Sequence, residues 1–161
     1  MARCVIAGLG SLNRSDDGVG CIVARETGAA LTATSIASPV DIGPVGEPLD
    51  LLGRWDHAEL AVVVDATSSD VPPGTIRVID LDSPETEPDR SYALDASSTH
   101  GIGLLGVLQL ARALGSAPQR VVVVGIEGMV FEAGNGLSPA VELAVDEATR
   151  RVLQLIQEVL C

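Results

Sequence analysis

Asp16 and Asp17 stand side by side in Gly8-Leu9-Gly10-Ser11-Leu12-Asn13-Arg14-Ser15-Asp16-Asp17-Gly18-Val19-Gly20, just ahead of a stretch with helical spacing. Asp65 closes an apolar run, Leu60-Ala61-Val62-Val63-Val64. His100 lies in Ser97-Ser98-Thr99-His100-Gly101-Ile102-Gly103, between small residues that leave room for something bulky. Two carboxylates and one imidazole make a divalent-metal ligand set or an acid–base set. Asp17, Asp65 and His100 are therefore the candidate catalytic and metal-binding residues. Each also has a plainer reading. Carboxylates at the start of a helix stabilise it by about 0.3–1 kcal/mol, and Asp16 fits that capping role. Asp65 fits a turn cap. A histidine in a loop is usually solvated, and His57, after Trp55-Asp56, reads as a surface residue. The plain readings leave Gly10, Gly18 and Gly20 unexplained. Glycines on both sides of the acid pair mark a backbone that bends sharply or is approached closely.

Other chemistries are closed off by composition. The chain has 161 residues with a formal net charge of -12 and a pI near 4.3. It lacks the positive field that a phosphate backbone requires, so nucleic acid is not an expected partner. One Trp, one Tyr and one Phe offer almost no platform for base stacking. All ten basic residues are arginine. Without lysine there is neither Schiff-base chemistry nor a Walker-type phosphate loop. The Gly-x-Gly-x-x-Gly dinucleotide pattern fails at Asn13, and two aspartates would repel a pyrophosphate at the helix start. Cys4, Cys21 and Cys161 form no Cys-x-x-Cys, which fits a reducing compartment. Met1 to Gly8 is too short an apolar run for a signal peptide, and no segment approaches a membrane span. The expectation is a cytoplasmic protein with no membrane partner.

The elements that must position these residues follow from hydrophobic pattern. Cys4 to Gly8 reads as a buried strand, and Val19 to Leu31 as a helix. Thr34 to Val40 reads as a weak strand and Asp41 to Gly46 as a turn-rich loop. Pro48 to Gly53 looks like a short helix. Leu60 to Val64 is a continuous apolar strand that ends at Asp65. Thr75 to Leu81 alternates like an antiparallel edge strand. Ser83 to Thr99 is acidic and aperiodic, hence a long loop. Gly103 to Leu114 is an amphipathic helix, and Val121 to Ile126 a second all-apolar strand. Glu127 to Gly136 is a glycine-rich loop, and Ser138-Pro139 opens a final helix to about Leu160. The pattern predicts a single α/β domain, residues 1–161, with a mostly parallel sheet. In such sheets ligands bind beyond the carboxyl ends of the strands. That edge is where Asp17, Asp65 and His100 would meet. Cys4 and Cys21 fall in a strand and a helix, where a buried, inert thiol is expected.

Taken together, these segments resemble the nickel–iron hydrogenase maturation endopeptidases. The family's opening motif is Gly-x-Gly-Asn, four residues, then an acidic pair before a small residue; here it is Gly8 to Gly18. Asp-Gly-Gly-Thr-x-Gly is matched loosely by Asp41-Ile42-Gly43-Pro44-Val45-Gly46. The apolar strand ending in Asp-Ala is Val62-Val63-Val64-Asp65-Ala66, and Pro73-Gly74-Thr75 follows it. Ser-x-His-x-x-Gly-Leu is Ser98-Thr99-His100-Gly101-Ile102-Gly103-Leu104. Gly-Leu-Ser-Pro-x-Val is Gly136-Leu137-Ser138-Pro139-Ala140-Val141. The motifs run in order over nearly the whole chain. Ser11 stands at the family's asparagine, Leu12 where a proline often follows, and the second motif has no threonine.

The resemblance implies a three-layer sandwich, a twisted, mostly parallel five-stranded sheet flanked by helices. It implies an endopeptidase that removes a C-terminal extension from a hydrogenase large-subunit precursor. The nickel would be supplied by that precursor and met by Asp17, Asp65 and His100, with Asp16 orienting or capping. No organic cofactor is expected. Two other classes stay open on the residues alone. One is a protein of this fold that escorts a hydrogenase precursor without cutting it; the other is an α/β nucleotide-binding protein.

Overall fold

The computed structural model describes residues 4–34, 39–83 and 103–160. Five strands form one sheet: β1 (Cys4–Leu9), β2 (Val40–Val45), β3 (Leu60–Thr67), β4 (Ile76–Asp80) and β5 (Arg120–Glu127). Their order is β2-β1-β3-β5-β4. Every neighbouring pair is parallel except β4 with β5. Helices α1 (Val19–Thr32) and α4 (Pro139–Leu160) cover one face. The short α2 (Leu51–Arg54) and α3 (Leu104–Leu114) cover the other. This is the three-layer α/β sandwich with one antiparallel strand.

The strands are apolar runs because both of their faces are buried. Cys4, Ile6, Leu60, Val62, Val64, Val122, Val124 and Ile126 face α1 and α4. Val5, Ala7, Ala61, Val63, Val121 and Val123 face α3 and Trp55. In α4 the buried residues are Val141, Ala144, Val145, Ala148, Val152, Leu155 and Ile156, a stripe at helical spacing. In α3 the stripe is Leu104, Val107, Leu108 and Ala111, and the helix stops at Gly115, whose φ of 71° is the left-handed C-terminal turn.

Two expectations are corrected. A strand runs over Val40–Val45, so the stretch expected as a turn is strand, while residues 35–38 of the expected strand lie outside the described residues. Pro44 lacks the N–H that a central strand needs, and it is tolerated because β2 is the edge strand beside β1. The run of Leu60 to Val64 does not end at Asp65. Asp65, Ala66 and Thr67 stay paired with Gly125, Ile126 and Glu127 of β5, so backbone bonding carries the strand past its apolar part. The expected long loop from Ser83 to Thr99 falls outside the described residues beyond Ser83.

The entry of α1 onto the sheet depends on two glycines. Gly20 lies where a Cβ would run into the Val64 carbonyl oxygen and come within 2.9 Å of that of Leu9. Gly8, on β1, lies where a Cβ would strike the Gly20 carbonyl oxygen. The first turn of α1 thus rests directly on the backbone ends of β1 and β3. Gly20→Ala is expected to lower stability by about 3 kcal/mol or more. Gly53→Ala, exposed and with nothing within 4 Å of its Cβ position, should be neutral or gain up to about 1 kcal/mol. Urea unfolding of the two variants checks both; equal midpoints would refute the close-packing account.

Candidate functional site

The chain goes from β1 outward to the edge strand β2, then returns to β3 on the other side of β1. The sheet order therefore reverses between β1 and β3, and a crevice opens beyond their carboxyl ends. β1 and β3 are in register, with Gly8 opposite Val64. Asp17 comes from the loop after β1, and Asp65 is the residue after Val64 on β3. Topology alone thus brings the two carboxylates to one edge.

Local geometry narrows their placement. The loop after β1 turns at Gly10, whose φ is 122°, a conformation that suits glycine. A Cβ there would strike the Asp17 carbonyl and lie 3.2 Å from its Oδ2. Asp17 Oδ2 accepts the Ser11 N–H at 2.9 Å. The residue holds the third place in a 3₁₀ turn, Ser15–Gly18, and is half-buried, as is Asp65. Cys21, one turn into α1, points its thiol at the carbonyls of Gly8 (3.4 Å) and Gly10 (3.6 Å). Burial pushes that thiol's pKa up, and the charges of Asp17 and Asp65 push it further. One thiol therefore feels the charge of both carboxylates. The same environment keeps Cys21 a neutral thiol, in line with its expected buried role.

The structure separates the two adjacent aspartates. Asp16 does not cap α1: neither the 3₁₀ turn nor α1 has a side-chain cap. Asp16 is fully buried. Its Oδ2 accepts the N–H groups of Met129 (2.8 Å) and Val130 (2.9 Å) and the Ser138 hydroxyl (2.8 Å). Its Oδ1 accepts the Ser138 N–H at 2.8 Å. Burial alone would raise its pKa. The donors of Val130, Ser138 and Met129 outweigh burial and hold the carboxyl below the usual carboxylate range. Asp16 thus serves the start of α4, far along the chain, and the Ser138 hydroxyl serves Asp16. The Ser138-Pro139 pair signals a helix start, but no local pattern in the sequence links it to Asp16.

A second buried carboxylate, Glu127, was read only as the start of a loop. It ends β5 and is 2% exposed. It accepts the hydroxyls of Thr67 (2.8 Å) and Ser69 (3.0 Å) and the Ser69 N–H. It therefore holds the chain just past Asp65. The loosely matched second motif is accounted for by Arg54. Its guanidinium grips both Asp41 oxygens at 3.2 Å and the carbonyls of Gly43 (3.3 Å) and Pro44 (3.2 Å). The end of β2 so anchored accepts the Gly10 N–H on Val45, supporting the turn before Asp17.

His100 lies outside the described residues, as do Ser98 and Thr99. His57 is a surface residue with its side chain 58% exposed beside Asp56. Among the described residues, no group of three His, Cys, Asp or Glu is arranged to hold a metal ion. Asp17 and Asp65 supply two oxygen donors and would need partners from elsewhere. The geometry disfavours a nucleotide. The space that a glycine loop would open to phosphate, beside Gly10, is filled by Asp17 itself. Among the described residues no helix is long and apolar enough to cross a membrane.

Comparison with known proteins gives the family and the fold. The family model described as hydrogenase maturation protease matches residues 39–155. The hydrogenase 2 maturation protease of Escherichia coli K12 is 25% identical over 157 residues, covering 97% of this chain and 92% of its own. The NiFe hydrogenase maturation protease HycI of Thermococcus kodakarensis KOD1, a solved structure, is 28% identical. It matches with a TM-score of 0.66 over 99% of this chain and 92% of its own. The hydrogenase maturating endopeptidase HybD of Escherichia coli has the same fold, with a TM-score of 0.74 over 97% of this chain and 93% of its own, at 23% identity. The chain belongs to the hydrogenase maturation protease family.

Proposed function

We propose that this protein removes the C-terminal extension from a nickel-loaded hydrogenase large-subunit precursor, and that Asp17, Asp65 and His100 meet the nickel. The observation that supports the reading is that Asp17 follows β1 and Asp65 follows Val64 on the adjacent parallel β3, at one edge of the sheet, in a chain of this family. His100 enters through the motif Ser98-Thr99-His100-Gly101-Ile102-Gly103-Leu104. Three widely spaced cysteines with no Cys-x-x-Cys suit the reducing cytoplasm as the place of work.

In this reading the nickel is part of the substrate. Two half-buried carboxylates offer hard oxygen donors to an incoming divalent ion, and among the described residues no group of three ligands would hold one beforehand. A nickel bridging precursor and site fixes the peptide next to the carboxylates and acts as a Lewis acid toward the scissile carbonyl or a bound water. A carboxylate not engaged with the metal takes the proton from the attacking water. The surroundings suit a peptide better than a phosphate. Leu12, Met129 and Val130 are exposed on the two loops that frame the Asp17 turn, an apolar rim of the kind a polypeptide segment covers.

Incubation of purified protein with nickel-loaded precursor should give the mobility shift of a shortened large subunit. Asp17→Asn, Asp65→Asn and His100→Ala should each slow cleavage by about 10²-fold or more while leaving circular dichroism and the melting temperature near wild type. Normal processing by all three variants would overturn the site. Binding of the precursor with its mass unchanged by the wild type would favour an escort. Precursor purified without nickel should remain uncut; equal cleavage with and without the ion would remove the metal from the reaction.

A further inference from the structure

The two candidate ligands do not hold themselves in place. Asp17 belongs to the 3₁₀ turn Ser15–Gly18, and that turn, besides the Val19 N–H bond to Asp16 O, is stitched to residues 129–138. Besides the four bonds accepted by the Asp16 carboxylate, the Asp16 N–H donates to Val130 O at 2.9 Å and the Ser15 N–H to Gly134 O at 3.1 Å. The Ser15 hydroxyl donates to Glu132 O at 2.9 Å, and Gly134 returns a bond to Asn13 O at 3.0 Å. Ser15 adopts a φ of 54°, a left-handed conformation that costs a residue with a side chain free energy unless its surroundings fix it. Successive residues in a 3₁₀ turn point about 120° apart. With Asp16 locked into the interior, Asp17 is turned to another side.

Asp65 is held from the same place. Glu127 binds Thr67 and Ser69, two and four residues after Asp65. The next residue, Gly128, donates its N–H to Thr67 O at 2.9 Å. Gly128 is also where the two anchors touch: a Cβ on it would lie 3.2 Å from the Asp16 Cβ and strike the Phe131 ring. The end of β5 and the loop after it therefore grip the Asp17 turn with one hand and the end of β3 with the other. Among the described residues Asp16 and Glu127 are the only buried acids, and both are spent on this grip.

Building on the metal-facing reading above, we infer that Asp16 and Glu127 are positioning residues that set the separation of Asp17 and Asp65, so that the pair is pre-formed before a metal-bearing substrate arrives. Neither touches the reacting atoms. Their oxygens are saturated by protein donors, and their effect passes through the backbone on which each candidate ligand is mounted. Groups that orient metal ligands from behind typically alter affinity by about 10–100-fold when removed.

The test uses the full chain with Ni2+ alone as the probe, titrated calorimetrically, and melting temperatures recorded in parallel. Asp16→Asn keeps the shape but turns an amide N–H toward existing donors, and Glu127→Gln does the same at the other anchor. Each should weaken Ni2+ binding about 10–100-fold. Ser138→Ala, which removes one of the four bonds to Asp16 and leaves its backbone N–H, should weaken it less, and it serves if Asp16→Asn does not fold. Val152→Ala, a core truncation in α4, supplies a comparable loss of melting temperature and should leave Ni2+ affinity at the wild-type value. Asp17→Asn should abolish binding. If Asp17→Asn abolishes binding but the anchor variants match Val152→Ala, the positioning role is wrong and the metal-facing reading stands. If the wild type binds no Ni2+, the pair is not pre-formed for the ion and the positioning role is wrong, while cleavage of nickel-loaded precursor still tests the metal-facing reading; if it binds Ni2+ equally after Asp17→Asn, that reading falls and the positioning role with it.

Discussion

The arrangement rests on the contact between the first turn of α1 and the backbone ends of β1 and β3. Gly20 and Gly8 are the residues that permit it, because any side chain at either point would meet a carbonyl. Close packing leaves little slack in a protein interior. With α1 seated this low, the nine residues between Leu9 and Val19 are forced into a tight excursion. That excursion turns at Gly10 and ends in a 3₁₀ turn, so Asp17 returns to the level of the strand ends. A helix standing one side chain higher would carry Asp17 away from Asp65. The glycines are thus a requirement of the site as much as of the core.

The low seat of α1 fixes the height of Asp17 but not its direction, and here charge takes over from packing. A chain with a net charge of -12 has no shortage of carboxylates, yet nearly all of those described are solvated. Burying one is costly unless its oxygens are satisfied. Asp16 meets that condition with three backbone N–H groups and a hydroxyl. Glu127 meets it with two hydroxyls and an N–H. Bonds from neutral donors to an ionised acceptor are stronger than neutral pairs, so these two acids can hold loops that have little apolar surface of their own.

Much of this was legible in the sequence, and the limits are physical. The continuous apolar runs of β1, β3 and β5 and the helical stripes of α3 and α4 report burial directly, so these elements read correctly. Asp17 and Asp65 were legible for a topological reason: parallel strands put the residues after them at one edge. β2 was misplaced because an edge strand needs neither a full apolar face nor an N–H at every residue, so Gly43-Pro44 resembled a turn. The far end of β3 was missed because Asp65-Ala66-Thr67 is held by pairing to β5 rather than by apolarity. The roles of Asp16, Ser138 and Glu127 were not legible at all. Their partners lie far away in the chain, and the signals that mark them locally, an acid ahead of a helix and a serine before a proline, have ordinary local explanations. Long-range polar contacts have no periodicity to betray them.

Asp16 and Asp17 show how one residue type acquires two fates. Both are aspartates, one bond apart, in a single turn. Asp16 takes four hydrogen bonds from donors that belong to the fold, so its charge is stabilised in place and its freedom is spent on geometry. Asp17 accepts one described bond, from Ser11, and remains half-buried. Its remaining lone pairs are available to an ion, a water or a peptide. The half-buried state matters in itself. A fully exposed carboxylate would be screened by water and weak as a ligand, while a fully buried one without donors would be driven to the protonated form. Between those limits the carboxylate gains strength as a ligand when a substrate closes over it and excludes solvent. A half-buried carboxylate so mounted, beside Asp65 at the same sheet edge, is suited to complete the coordination of a metal that arrives already partly bound.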